Sequence, residues 1–171
     1  SLTSSQVKAL TTSEIVALNT AQVAALTTSQ IVSLNTNQIA AIETIDLQAM
    51  TSAQLGVMTS DQIMALSTNQ IASLKTTQIG ALKTNQIQAL KDEQLVALTT
   101  SQVATLSTAQ VAAMSPGQIS KLEIQDLLSM TNAQIASITA AQIKALSTTQ
   151  FAALKTAQLT ALKTNQVQAL T

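Results

Sequence analysis

Residues 67–90 read STNQIASLKTTQIGALKTNQIQAL, which is one eight-residue phrase written three times: STNQIASL, KTTQIGAL, KTNQIQAL. The same phase holds outward in both directions without a slip, so that residues 3–170 divide into 21 octads with the consensus T-T-x-Q-I-x-A-L. Position 1 is Thr, Ser or Asn in 14 octads and Lys or Glu in the other seven. Position 4 is Gln in 18 octads, the exceptions being Glu14, Asp46 and Asp126. Positions 5 and 8 are always apolar and position 7 is mostly Ala. A strict period of this kind is the signature of a repeat architecture rather than of an ordinary domain.

Each octad reads as the start of a helix. A hydroxyl or amide at position 1 followed three residues later by Gln has the spacing of a capping box, in which each residue's side chain bonds the other's backbone N–H. The apolar residue before position 1 and the one at position 5 have the spacing of a hydrophobic staple. The only proline, Pro116, falls at the first helical position, where its missing N–H costs least. Starts every eight residues do not fit one long helix, because the apolar stripe would drift roughly 80° per octad and circle the axis. Very short helices, one per octapeptide, are expected instead. Such helices are unstable alone, since nucleation is costly, and must be held by stacking. The strand-rich alternative, a β-solenoid, fits less well. Its corners call for Gly, Asn or Asp, and only three glycines occur.

The fold class expected is therefore all-α: a thin α-solenoid in which each unit touches only its neighbours. Residues 3–170 form a single array with no separate domains. A longer period lies above the octad. Residues 147–170 echo residues 67–90 at an offset of 80 residues, and the atypical octads 43–50 (ETIDLQAM) and 123–130 (EIQDLLSM) obey the same offset. Ten octads divide evenly by two and not by three, so two octads per coil are expected. At roughly 8–10 Å between packed helices, ten such coils would extend roughly 80–100 Å. The atypical octads are expected to mark a bend or a module boundary.

Composition limits function. The chain has no Cys, His, Tyr or Trp, one Phe, and eight lysines balanced by eight acids. No zinc site, disulfide framework or His-dependent nucleophile can be built from these residues. A net charge of zero argues against binding nucleic acid. No apolar run approaches the roughly 18 residues needed to span a membrane. The Gln column is read as structural, through capping and bonds between coils, with a ligand-binding ladder as the sharper alternative. Lys75, Lys83 and Lys91 open three consecutive octads and Lys155 and Lys163 two more. They are read as solubilising, with a docking strip for an anionic glycan or lipid as the alternative. Glu43 with Asp46, and Glu123 with Asp126, have i, i+3 spacing that could touch a cation, but acids there also complement a helix N-terminus. Met50, Met58, Met114 and Met130 all stand at position 8 and are read as core. No catalytic, cofactor-binding or metal-binding residue is assigned, and no cofactor is expected.

The octads TTSQVATL, NTNQIAAI, KTNQIQAL and STNQIASL resemble the T-x-x-Q-I-x-A-L octapeptide arrays of very large bacterial surface and secreted proteins, often described as adhesins or haem-utilisation/adhesion proteins. The resemblance covers residues 3–170. It implies a bacterial, exported, extended segment at the cell surface or outside the cell, and it supplies no catalytic residue. This segment has no His, Cys or Tyr to ligate haem iron. The expected role is a non-catalytic spacer or stalk in such a protein. A repetitive protein- or glycan-binding module is the alternative, followed by ice binding through the Thr column. The partners expected are neighbouring repeats. End-to-end self-association is also expected, since neither end carries a polar capping unit.

Overall fold

The computed structural model describes residues 2–170. Among them are 21 helices of five or six residues and no strand, from Ser4–Ala9 to Thr164–Gln168, one in each octad. The one-helix-per-octapeptide expectation holds along the whole array. Each helix begins at position 2 and ends at position 6 or 7.

The corners explain why so little glycine is needed. Leu90, at position 8, is extended (φ −60°, ψ 131°), and so is the next residue, Lys91 (φ −73°, ψ 161°). Two extended residues in succession turn the chain from one helix into the next. No described residue has a positive φ, so no corner requires the left-handed region. Inside the octad, position 5 donates back to the carbonyl of position 1 (Ile87 N to Lys83 O, 3.1 Å). Position 8 then closes the end onto position 5 in a tighter, 3₁₀-like bond (Leu90 N to Ile87 O, 3.2 Å).

Helices pack on those three octads away. Helix Thr84–Ala89 lies between Ser60–Ala65 before it and Thr108–Ala113 after it, and the same step recurs along the chain. The coil is thus three octads, or 24 residues, and the solenoid is a three-sided tube. This corrects the expectation of two octads per coil. The ten-octad duplication misled because it is not a whole number of coils. Eighty residues are three coils and one octad, so duplicated octads stand on different sides of the tube. The 21 octads make seven coils, which at roughly 8–10 Å per coil gives a length of roughly 55–70 Å rather than 80–100 Å.

Six apolar side chains per coil fill the bore in two alternating rings of three. From Val7 to Ile143 every position-5 residue is at most 2% exposed, and from Leu34 to Ile138 every position-8 residue is at most 4% exposed. The end coils show which way each ring faces. In the last coil the position-5 residues Leu159 and Val167 are 37% and 49% exposed. In the first coil it is the position-8 residues Leu10, Leu18 and Leu26 that are only partly covered. Position 5 therefore packs under the following coil and position 8 over the preceding one. The four position-8 methionines take their places in this core. The core also passes unbroken through the atypical octads, where Leu47, Met50, Leu127 and Met130 are all buried.

Leu90 sits in the middle of this stack, 4% exposed. Leu90→Ala is expected to cost about 2–5 kcal/mol in urea denaturation. An unchanged transition would contradict the inward assignment of position 8.

Candidate functional site

The most regular polar feature of the tube is the Gln column, which becomes buried as soon as a coil lies beneath it. From Gln30 to Gln166 every column Gln is 7% exposed or less. Gln102 shows the full set of bonds. Its Oε1 accepts from the Thr99 backbone N–H at 2.7 Å, and its own N–H donates to Thr99 Oγ1 at 3.2 Å. This is the capping box the spacing predicts. Its Nε2 points the other way, donating to the carbonyls of Leu74 at 2.7 Å and Ile71 at 3.0 Å in the coil below. Those two carbonyls lie at the C-terminal end of the helix four octads earlier.

A helix of six residues leaves most of its N–H donors at one end and its C=O acceptors at the other without intrahelical partners. One amide serves both needs. Its oxygen satisfies a donor at the start of its own helix, and its nitrogen satisfies acceptors at the end of another. The pattern recurs with little variation. Gln54 reaches Leu26 O at 2.7 Å, Gln86 reaches Met58 O at 2.8 Å and Gln134 reaches Leu106 O at 2.7 Å. Among the described residues no buried side-chain N or O lacks a partner. The expectation of bonds between coils is met, with backbone carbonyls as the acceptors.

Lysine at position 1 removes half of the box, because an ammonium has no acceptor to offer. The other half survives: Lys83 N–H still donates to Gln86 Oε1 at 2.7 Å. The Gln is thus more constant than its capping partner because it has a second task. That imbalance, readable in the sequence, was the available signal for the inter-coil bond.

The lysines do not form a strip. Lys75, Lys83 and Lys91 open the three octads of one coil, so they occupy its three corners and point to different sides of the tube. The strip reading is overturned by the three-octad coil. Lys121 Nζ pairs with Asp92 Oδ2 at 3.1 Å on the surface, and Lys155 Nζ donates to Leu128 O at 2.7 Å. An exposed pair of that kind contributes little to stability. The Thr column is interrupted on every side of the tube, by Ile124 on one, Asn132 on the second, and Asp92, Pro116 and Ala140 on the third.

The paired acids separate. Asp46 and Asp126 take the place of Gln and are buried, each 3% exposed, whereas Glu43 and Glu123 remain exposed. Asp126 Oδ2 accepts weakly from Glu123 N–H at 3.3 Å, and its side chain also meets Thr100. Burial pushes its carboxyl above the ordinary aspartate range, against the pull of those two hydrogen bonds. Glu14, in the first coil, is exposed, and bonds from the Thr11 backbone and hydroxyl hold its carboxyl below the usual range. No group of three or more potential metal ligands occurs among the described residues. A surface groove of about 660 Å³ beside the second atypical octad is lined by Val96, Lys121, Leu122, Glu123, Ile124 and Gln150. Ser120 and Ser147 also line it.

Comparison with known protein families matches the ALTTAQ repeat seven times, over residues 1–38, 39–76, 63–92, 72–108, 92–123, 119–156 and 144–171. The chain belongs to the ALTTAQ repeat family. The matches overlap and cover the array from end to end, so ALTTAQ units account for the whole core and the whole Gln column. No curated protein matches the chain. The repeat-array expectation therefore holds.

In this ALTTAQ array Asp126 is too short to supply the missing staple, and no column Gln reaches the carbonyls of Leu95 and Leu98 beneath it. Asp126→Gln is expected to raise stability by about 1–2 kcal/mol at pH 7. The raised carboxyl pKa sets the sign of the pH dependence. The ionised form penalises folding once the pH climbs above the ordinary aspartate value of about 3.9, and the penalty is complete above the raised folded value. The advantage of the Gln variant should therefore shrink as the pH falls toward about 4. Denaturation of both proteins across that range checks it; equal stability at pH 7 would contradict the staple.

Proposed function

We propose that this ALTTAQ array is a non-catalytic, extended spacer in a large bacterial surface or secreted protein of the adhesin-like kind. The observation that carries the reading is that each coil is bonded to the next by one repeated contact, the Gln staple over the apolar bore. Length is then the property that scales with repeat number, as in other nearest-neighbour solenoids. The outer surface supports the same reading. It presents Thr, Asn, Ser and Ala with few charges, spread around the tube rather than gathered into a pocket. No helix among the described residues is long and apolar enough to cross a membrane. Placement at the cell surface or outside the cell follows from the resemblance to octapeptide arrays and is part of the proposal, as is the lack of catalysis.

Small-angle X-ray scattering on dilute protein tests the spacer role. The seven-coil array should be a rod of roughly 55–70 Å, and duplicating one coil should lengthen it by roughly 8–10 Å without thickening it. A particle that does not lengthen with added coils would contradict the reading. Binding to a peptide or glycan panel with affinity that rises with coil number would instead favour a binding module.

A further inference from the structure

Two buried positions of the Gln column hold aspartates that cannot make the staple, and both leave the same gap. Asp46 stands in the column between Gln38 and Gln54. Gln38 Nε2 donates to the carbonyls of Leu10 at 2.6 Å and Val7 at 3.1 Å. Gln54 Nε2 donates to those of Leu26 at 2.7 Å and Val23 at 3.2 Å. The register between them puts Asp46 over the carbonyls of Ile15 and Leu18, to which no described side chain donates. Asp126 stands in the same way over Leu95 and Leu98. Asp46 is 3% exposed, and its carboxylate has no hydrogen-bond or ion-pair partner among the described residues. No fully enclosed side-chain oxygen there lacks a partner, so the Asp46 oxygens keep a narrow contact with solvent. Asp126 is buried to the same degree, and only the long bond from Glu123 N–H at 3.3 Å and a contact with Thr100 hold it.

At both places oxygen faces oxygen: one carboxylate and two carbonyls converge, and none brings a hydrogen. Aspartate is one methylene shorter than Gln, which draws its end group back by roughly 1.5 Å and leaves roughly 4–5 Å between the oxygens. Two ligands of one calcium ion, at about 2.3–2.6 Å each, stand that far apart. We infer that each atypical octad binds one calcium ion between its buried aspartate and the two carbonyls four octads back, Asp46 with Ile15 and Leu18, and Asp126 with Leu95 and Leu98. The ion takes the place of the amide nitrogen as the positive centre between coils, and water completes its shell. Magnesium, which keeps its waters and demands near-ideal octahedral geometry, suits a gap set by the packing of the tube less well. The ligand set is not the i, i+3 pair of acids. Glu43 and Glu123 stay exposed at the corners, where their charge draws a cation in. The groove lined by Val96, Glu123 and Ile124 runs beside the second site, and Lys121 within it is paired with Asp92 at 3.1 Å. One carboxylate per site makes the binding weak, on the order of millimolar.

Calcium titration of the full chain at pH 7, followed through its amide NMR signals, tests the inference, with magnesium in parallel at equal ionic strength. Saturable shifts are expected at two places, around Ile15–Asn19 with Asp46 and around Leu95–Thr99 with Asp126, and magnesium should bind about tenfold more weakly. Asp46→Gln should abolish the first set and leave the second, and Asp126→Gln the reverse. Both variants insert the residue that fills the rest of the column, so the fold is kept, which the unperturbed amide signals of the other coils verify. Glu43→Gln and Glu123→Gln should retain both sites with affinity lowered no more than about threefold. Denaturation supplies a second readout: calcium should raise the midpoint of the parent and narrow the lead of Asp126→Gln over it. A parent chain that shows no saturable calcium shifts overturns the inference. So do shifts that survive both Asp→Gln substitutions, which would mark surface charge alone, or magnesium binding as tightly as calcium.

Discussion

The structure depends on a single side-chain amide used at both ends. Five- and six-residue helices are poor structural units. They make few internal hydrogen bonds and leave nearly as many backbone groups unpaired as paired. In a stack they become tenable if the donors at each start and the acceptors at each end are satisfied within the stack. The Gln at position 4 does this in one stroke. Its oxygen takes the N-cap N–H of its own helix, and its nitrogen takes the carbonyls at the end of a helix in the coil below. A shorter acid can keep part of the first bond and loses the second, which is what Asp126 does.

The rest follows from having that bond point along the tube. Coil is tied to coil at each corner, and the apolar residues at positions 5 and 8 fill the bore between ties. The corners need only two extended residues, so the array spends no glycine on them. The sides carry less structural duty, and positions 2, 3 and 6 vary widely, from Thr, Ser, Asn and Ala to Asp92, Ile124, Glu93, Met64 and Lys144. An object built this way has two properties by construction. It grows linearly with repeat number, and it is polar, with unlike faces at its two ends.

Much of this was legible in the octad itself. The box spacing gave the helix starts, the pair at positions 5 and 8 gave the core, and Pro116 gave the register; helix Pro116–Lys121 begins on that residue. What lay outside the octad was harder to read. The number of octads per coil is decided by how much each pair of extended residues turns the chain, and no local pattern states that angle. The 80-residue duplication pointed to two because it records how the sequence repeats rather than how the tube closes. The partners of Gln Nε2 lie 28 and 31 residues away, a distance that means nothing until the coil length is known. For the same reason Lys75, Lys83 and Lys91 looked adjacent when they stand on three corners.

Gln86→Glu puts the staple to the most direct test, because it keeps the shape and the oxygen that accepts from Lys83 while removing the donor to Leu55 and Met58. Measured by denaturation against pH, the variant should lose about 3 kcal/mol or more at pH 7, where a buried carboxylate faces two carbonyls. Much of the loss should be absent near pH 4, where a protonated carboxyl again has a hydrogen to donate and the folded state holds that proton more tightly than the unfolded chain. A variant as stable as the parent at pH 7 would show that the bond between coils is incidental and that the bore alone holds the tube together.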